Sequence, residues 1–242
     1  MANRPTCRDR NGRTDIIVNA FTAVSLIPYL TSSMRTLLLS LLLTLLTALP
    51  AQAQLTSPPL SIAARTWLLV DFGSGQELAS TNPEERIEPA SLTKLMTTYL
   101  SFAAIKQGTI KLNQTVPVSE RAWKAQGSRM FIEPKRPVTV EELLHGMIVQ
   151  SGNDACIALA ELIGGSEEGF AQLMNREAQR LGLAHSQFRN ATGLPDPQHY
   201  TTARDLAKLT AALIRDLPDF YPLFSIKEYR YNNINQPNRN RL

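Results

Sequence analysis

The stretch Glu88-Pro89-Ala90-Ser91-Leu92-Thr93-Lys94-Leu95-Met96 decides how the rest of the chain is read. It lies where a turn-rich segment gives way to a long apolar-periodic run. Pro89 disfavours helix at the residue before it and fits just ahead of one. From Leu92 onward, Leu95, Met96, Tyr99, Leu100 and Ala103 recur at helical spacing. This predicts a helix opened by Ser91, running to about Gln107 and stopped by Gly108. Lys94 then sits one turn from Ser91, on the same face. A hydroxyl at a helix start with an amine beside it is a nucleophile with a base at hand. The backbone N–H groups of that turn face any oxyanion formed there. Spacing alone still favours a plain cap and a solvated lysine, because Ser-x-x-Lys arises readily by chance.

A second polar cluster, Ser151-Gly152-Asn153, changes that balance. The residues before it predict a helix: Thr139 and Glu142 form a capping box, and Val140, Leu143, Leu144, Met147 and Ile148 give the apolar face up to Gln150. Asp154 is positioned to cap the next helix, Ala155 to Ile163, which Gly164-Gly165 ends. The cluster is thus a connector between two helices, a usual place for polar groups that face a cleft. Such a connector serves turn chemistry when it stands alone. Brought against Ser91 and Lys94, Ser151 can relay a proton, while Asn153 can hold Lys94 and offer its amide to a substrate carbonyl.

The remaining elements follow the same signals. Thr66–Phe72 and Gln76–Ser80, joined by Gly73-Ser74-Gly75, predict a β-hairpin. Gly108–Pro137 is expected to be irregular. Ser166 caps a helix to Leu181, and Thr202 with Asp205 opens another to about Arg215. Asn190–Tyr200 reads as a loop and Ser225–Tyr231 as a strand. Asn232–Asn240 is a polar turn region expected to be poorly tied down, with its strand partners lying beyond Leu242.

Composition excludes several function classes. The 242 residues allow one to two domains, and the net charge of +4 is concentrated at the start. Residues 1–53 hold Arg4, Arg8, Arg10, Arg13 and Arg35 against Asp9 and Asp15, which leaves only +1 for the remainder. No nucleic-acid-binding surface is implied. Residues 34–53 read as a signal peptide: Met34-Arg35, an apolar stretch from Leu37 to Leu49, then Ala51-Gln52-Ala53. Segment 1–33 is of doubtful status, with translation expected to begin at Met34 and the mature chain at Gln54. Cys156 is the only cysteine after residue 53, so no internal disulfide forms there. It falls in an apolar helical pattern and is expected to be a buried, inert thiol. His145, His185 and His199 show no metal-ligand spacing, and no metal or cofactor is implied.

Taken together, Pro89-Ala90-Ser91-Leu92-Thr93-Lys94 and Gln150-Ser151-Gly152-Asn153-Asp154-Ala155 resemble the serine penicillin-binding proteins and β-lactamases. The chain is most similar to low-molecular-mass D-alanyl-D-alanine carboxypeptidases of the penicillin-binding protein 5 and 6 type. Thr192-Gly193-Leu194, Ser225-Ile226-Lys227-Glu228 and Gln236-Pro237-Asn238-Arg239-Asn240 extend the match over residues 62–242. The resemblance implies an α/β (α+β) fold of the serine β-lactamase/DD-peptidase kind, an antiparallel sheet with helices packed around it. Residues 54–242 would form the N-terminal part of the catalytic domain, incomplete at the C-terminus. It implies Ser91 as nucleophile, Lys94 as base, Ser151 as proton relay, and Asn153 and Arg239 as substrate contacts. The implied partners are a peptidoglycan stem peptide ending in D-Ala-D-Ala and β-lactams as covalent inhibitors. The implied location is the periplasm, with attachment to the inner membrane through a C-terminal helix absent from this chain. The family's third motif, Lys-Thr-Gly, does not occur before Leu242. Three readings stand beside this one: a DD-endopeptidase, a class A-like β-lactamase and a non-catalytic penicillin-binding fold. Against the β-lactamase, Gly152 replaces the aspartate of Ser-Asp-Asn, and the 190–200 loop offers Asp196 but no glutamate.

N-terminal sequencing of protein exported from a bacterial host is expected to read from Gln54; an exported protein that retains segment 1–53 would overturn the leader assignment.

Overall fold

A computed structural model describes Ser33 and residues 62–240. The chain divides into two units, Met1–Pro59 and Leu60–Leu242, and both polar clusters lie in the second. The leader assigned to 34–53 lies outside the described residues. No helix among the described residues is long and apolar enough to cross a membrane.

The expected hairpin is present as β1, Trp67–Val70, paired antiparallel with β2, Glu77–Thr81. Asp71 shapes its turn, accepting from the backbone N–H and hydroxyl of Ser74 at 2.7 and 2.6 Å. The next element differs from expectation. Ala90–Thr93 is a 3-10 turn, and the α-helix, α1, begins only at Lys94 and runs to Lys106. The stretch 108–137, expected to be irregular, contains β3, Thr115–Val116, and a one-turn helix α2, Glu120–Trp123, capped by Ser119. β3 pairs with β4, Val138–Thr139.

Helix α3, Val140–Gln150, carries the predicted capping box. The Thr139 hydroxyl accepts from the Glu142 N–H at 3.3 Å, and the Glu142 carboxylate accepts from the Thr139 N–H at 2.8 Å. Helix α4, Asn153–Gly164, follows after two residues. Helices α5, Glu167–Arg180, and α6, Ala203–Asp216, start at the predicted caps: Ser166 accepts from Gly169 at 3.0 Å and Thr202 from Asp205 at 3.1 Å. A 3-10 segment, Pro218–Ser225, leads into β5, Glu228–Tyr231, and β6, Ile234–Pro237. The fold is mixed α/β, its described strands forming three two-stranded antiparallel sheets. Its core is helical: Met96 and Phe102 of α1, Leu143, Leu144 and Met147 of α3, Leu159 of α4, Phe170 and Met174 of α5, and Leu209 of α6 are all buried.

Two expectations need correction. Residues 232–240 are tied down, since most of them belong to the β5–β6 hairpin and its exit. Gln236, 2% exposed, donates to the Met130 carbonyl, and Asn232 to the Phe131 carbonyl. The N–H groups of Asn238 and Arg239 reach the Lys227 and Val149 carbonyls. A polar composition here satisfies backbone groups of neighbouring segments. Asp154 likewise does not cap α4, whose cap is Gly152; it lies within the first turn. Its buried carboxylate accepts from the N–H groups of Met130, Phe131, Ile132 and Ala155, at 2.8–3.2 Å. It thereby locks the 130–132 loop onto the start of α4.

Asp154→Asn replaces one acceptor oxygen by an amide that cannot accept. Orphaned buried donors cost about 1–3 kcal/mol each, so a loss of about 2–5 kcal/mol is expected in urea unfolding. An unchanged midpoint would show that the loop does not depend on this carboxylate.

Candidate active site

The turn that carries Ser91 is strained. Ala90, just before it, has φ +46, a left-handed value that costs a non-glycine residue about 1–2 kcal/mol. Pro89 is buried ahead of it, and the Leu92 N–H closes the turn on the Pro89 carbonyl at 3.0 Å. That bond uses one of the first-turn donors expected to face an oxyanion. Beginning α1 at Lys94 keeps Ser91 on the exposed turn while its partner enters the core.

Lys94 is 6% exposed. Its Nζ donates to the Thr192 carbonyl at 2.7 Å and lies 3.4 Å from Ser91 Oγ. Among the described residues no carboxylate pairs with it. Burial depresses its pKa below the ordinary lysine value, and the positive charge of Arg239 pushes the same way. The Cys156 thiol would oppose this only as a thiolate. Burial lifts that thiol to about 12, so near neutrality it is uncharged and the opposition vanishes. The amine is thus driven toward its neutral form, the form that can accept a proton.

Ser151 caps α3 with φ +61, another left-handed non-glycine residue. Its hydroxyl is buried and has no hydrogen-bond partner among the described residues. Strain together with an unsatisfied buried hydroxyl is costly unless a ligand or a reaction uses it. Ser91, Lys94 and Ser151 line one cavity of about 130 Å³, with Thr98, Met147 and Phe224 among its other walls. The two sequence clusters therefore meet, as their chemistry requires.

Neither Asn153 nor Arg239 lines that cavity. Asn153 donates its amide to the Gln126 carbonyl at 2.7 Å and its N–H to the Ser128 carbonyl at 2.7 Å, and among the described residues its side chain bonds no group of Lys94. Arg239 lies beside Gln150 and Asn238 along a separate cleft of about 290 Å³, close enough to act on Lys94 by its charge.

Sequence reasoning misses Thr192 and His199. The Thr192 carbonyl is a backbone partner and leaves no side-chain signature, though the neighbouring Gly193 does. Gly193 has φ +83, and a Cβ there would stand 1.7 Å from the Ala90 carbonyl oxygen. Only glycine lets this loop press against the Ser91 turn. Buried His199 bonds Thr93 Oγ1 through Nε2 at 2.9 Å and accepts the Arg189 N–H at Nδ1. That pattern sets the tautomer with the proton on Nε2, and burial lowers its pKa, holding it neutral. His145 instead lies against Tyr229, and His185 faces Glu84.

A helical core with strand pairs beside it, and a strained serine turn set against a buried lysine, place the chain in the penicillin-binding-protein class of folds. A family model described as D-alanyl-D-alanine carboxypeptidase, peptidase S11, matches residues 52–242. The chain belongs to that family. It is 46% identical over 202 residues to D-alanyl-D-alanine carboxypeptidase DacC of Escherichia coli strain K12, covering 81% of this chain and 50% of that protein. Penicillin binding protein 5 from Haemophilus influenzae superposes with a TM-score of 0.74 at 44% identity, over 76% of this chain and 54% of that one. Penicillin binding protein 6B from Escherichia coli gives 0.73 at 39%, over 78% and 61%. The chain spans about half the length of the curated relatives it matches.

Arg239→Ala removes a positive charge near Lys94 and is expected to raise the pH at which Lys94 titrates, while Arg239→Lys keeps it nearly in place. NMR of lysines labelled at Cε reads this directly, with Lys94→Arg to assign the signal. An unmoved titration in Arg239→Ala would show that the Arg239 charge does not act on Lys94.

Proposed function

We propose that the full-length protein is a serine-type D-alanyl-D-alanine carboxypeptidase acting on peptidoglycan stem pentapeptides, with its acyl-enzyme on Ser91. The observation that carries this reading is the buried Lys94 amine, unpaired with any described carboxylate and 3.4 Å from Ser91 Oγ. Family membership supports the same reading.

A neutral amine has two N–H groups and one lone pair. The Thr192 carbonyl takes one N–H, which leaves the lone pair free to take the Ser91 proton. Ser91 Oγ then bonds to the carbonyl carbon between the last two D-alanines. The C–N bond breaks as a proton passes from the Lys94 ammonium through Ser151 to the departing nitrogen. D-alanine leaves, and water then splits the ester, its proton returning along the same route. The unsatisfied Ser151 hydroxyl suits that relay, since a fixed internal partner would compete with substrate. Asn153 and Arg239 would contact the stem peptide. A β-lactam would enter the same step as a covalent inhibitor, its ring amide replacing the scissile one. The leader at 34–53 would bring the protein to the periplasm, and a C-terminal helix beyond this chain would hold it at the inner membrane. Residues 54–242 would then be the N-terminal part of the catalytic domain.

Ser91→Ala in the full-length protein is expected to abolish covalent labelling by a fluorescent penicillin. Lys94→Arg keeps the charge but supplies no neutral base, and is expected to acylate at least about a hundredfold more slowly. In the wild type, acylation is expected to rise with pH as Lys94 loses its proton, with a midpoint below the ordinary lysine value. Stopped-flow acylation with circular dichroism to check folding measures all three. Near-normal acylation by a folded Lys94→Arg protein would remove Lys94 as the base.

A further inference from the structure

Glu167 opens α5, far along the chain from Ser91, yet its side chain points into the site's supporting wall. It is 4% exposed. One carboxylate oxygen accepts the Ala191 N–H at 3.1 Å, and the other is held by the Arg121 guanidinium at 2.6 Å. Arg121 is half exposed and also bridges to Glu168 at 2.8 Å. A buried carboxylate is costly unless paired and hydrogen-bonded, and an apolar side chain would fill the space at less cost. Glu167 is therefore placed for what it holds.

What it holds is the segment 190–193. The Ala191 carbonyl accepts from Thr97 Oγ1 at 2.7 Å and Cys156 Sγ at 2.8 Å. Asn190 Oδ1 gathers the Thr192 and Gly193 N–H groups at 3.2 and 2.7 Å. The outcome of these bonds is the aim of one further group, the Thr192 carbonyl on Lys94 Nζ. Of the bonds to this segment's own N–H groups, the one to Glu167 carries a full charge and reaches in from another helix.

We propose that Glu167, clamped by Arg121, is a positioning residue for Lys94: it fixes the Ala191–Thr192 segment so that the Thr192 carbonyl takes one N–H of the amine and orients its lone pair on Ser91. This rests on the assignment of Ser91 as nucleophile and Lys94 as base. Misplacing a reacting group by about 1 Å can cost up to a hundredfold in rate without loss of substrate affinity. The signature is thus a split between the acylation rate constant and the noncovalent affinity that precedes it.

The test uses the full-length protein and a fluorescent penicillin, separating those two quantities by stopped flow. Glu167→Ala is expected to slow acylation by about ten- to a hundredfold, with the preceding affinity nearly unchanged. Glu167→Gln retains an acceptor for the Ala191 N–H and is expected to recover most of the rate. A labelled wild type whose Glu167→Ala variant acylates at the wild-type rate overturns this proposal alone, as does a Gln variant as slow as Ala. An unlabelled wild type overturns the reading of Ser91 as well. Should Glu167→Ala melt below the assay temperature, Arg121→Ala replaces it, since its truncation is at a half-exposed side chain. It too is expected to slow acylation, and an unchanged rate overturns the proposal.

Discussion

A lysine amine taken out of water and given only a carbonyl and a hydroxyl is the constraint around which this molecule is built. Charged, such a group is costly to bury; neutral, it is a base. That cost lowers the pKa of Lys94, and the groups near it push the same way or leave it unopposed. It starts α1 so that its side chain enters the core, Arg239 adds positive charge, and the Cys156 thiol holds its own proton. A carboxylate partner would have favoured the charged form of the amine instead.

The same logic governs the α3–α4 junction. Two residues separate those helices, and one of them, Ser151, is in a left-handed conformation with a buried hydroxyl that has no partner among the described residues. Asp154 and Asn153 compensate from the next turn by gripping the 126–132 loop through five hydrogen bonds. Left-handed backbone recurs at Ala90, Phe131 and Ser151, where neighbouring hydrogen bonds hold it in place.

How much of this is legible in the sequence depends on the range of each interaction. The caps at Thr139, Ser166 and Thr202 act within one turn, and their signatures predict their helices to within a residue or two. The meeting of Ser91, Lys94 and Ser151 is legible too, because polar clusters at helix ends point to clefts. The late start of α1 is not, since a 3-10 turn shares the helical apolar spacing. Asp154 reads as a mere cap because a carboxylate there looks local, while three of its four partners lie more than twenty residues back. Residues 232–240 look loose because amide side chains that bond distant backbone cannot be told from solvated ones. The true partners of Asn153 and of Glu167 are hidden in the same way.

The contacts that finish the site also set when it can exist. Lys94 waits for a carbonyl 98 residues later, Thr93 for a histidine 106 residues later, and Met130 for a glutamine 106 residues later. Loop closures of that span are slow to form, because their entropy is lost before any contact offsets it. The early helices can acquire their shape from local signals, whereas Lys94 acquires its carbonyl partner only when the far segments dock. A chain whose far segments have not docked therefore holds the serine and the lysine without the contacts that fix their geometry.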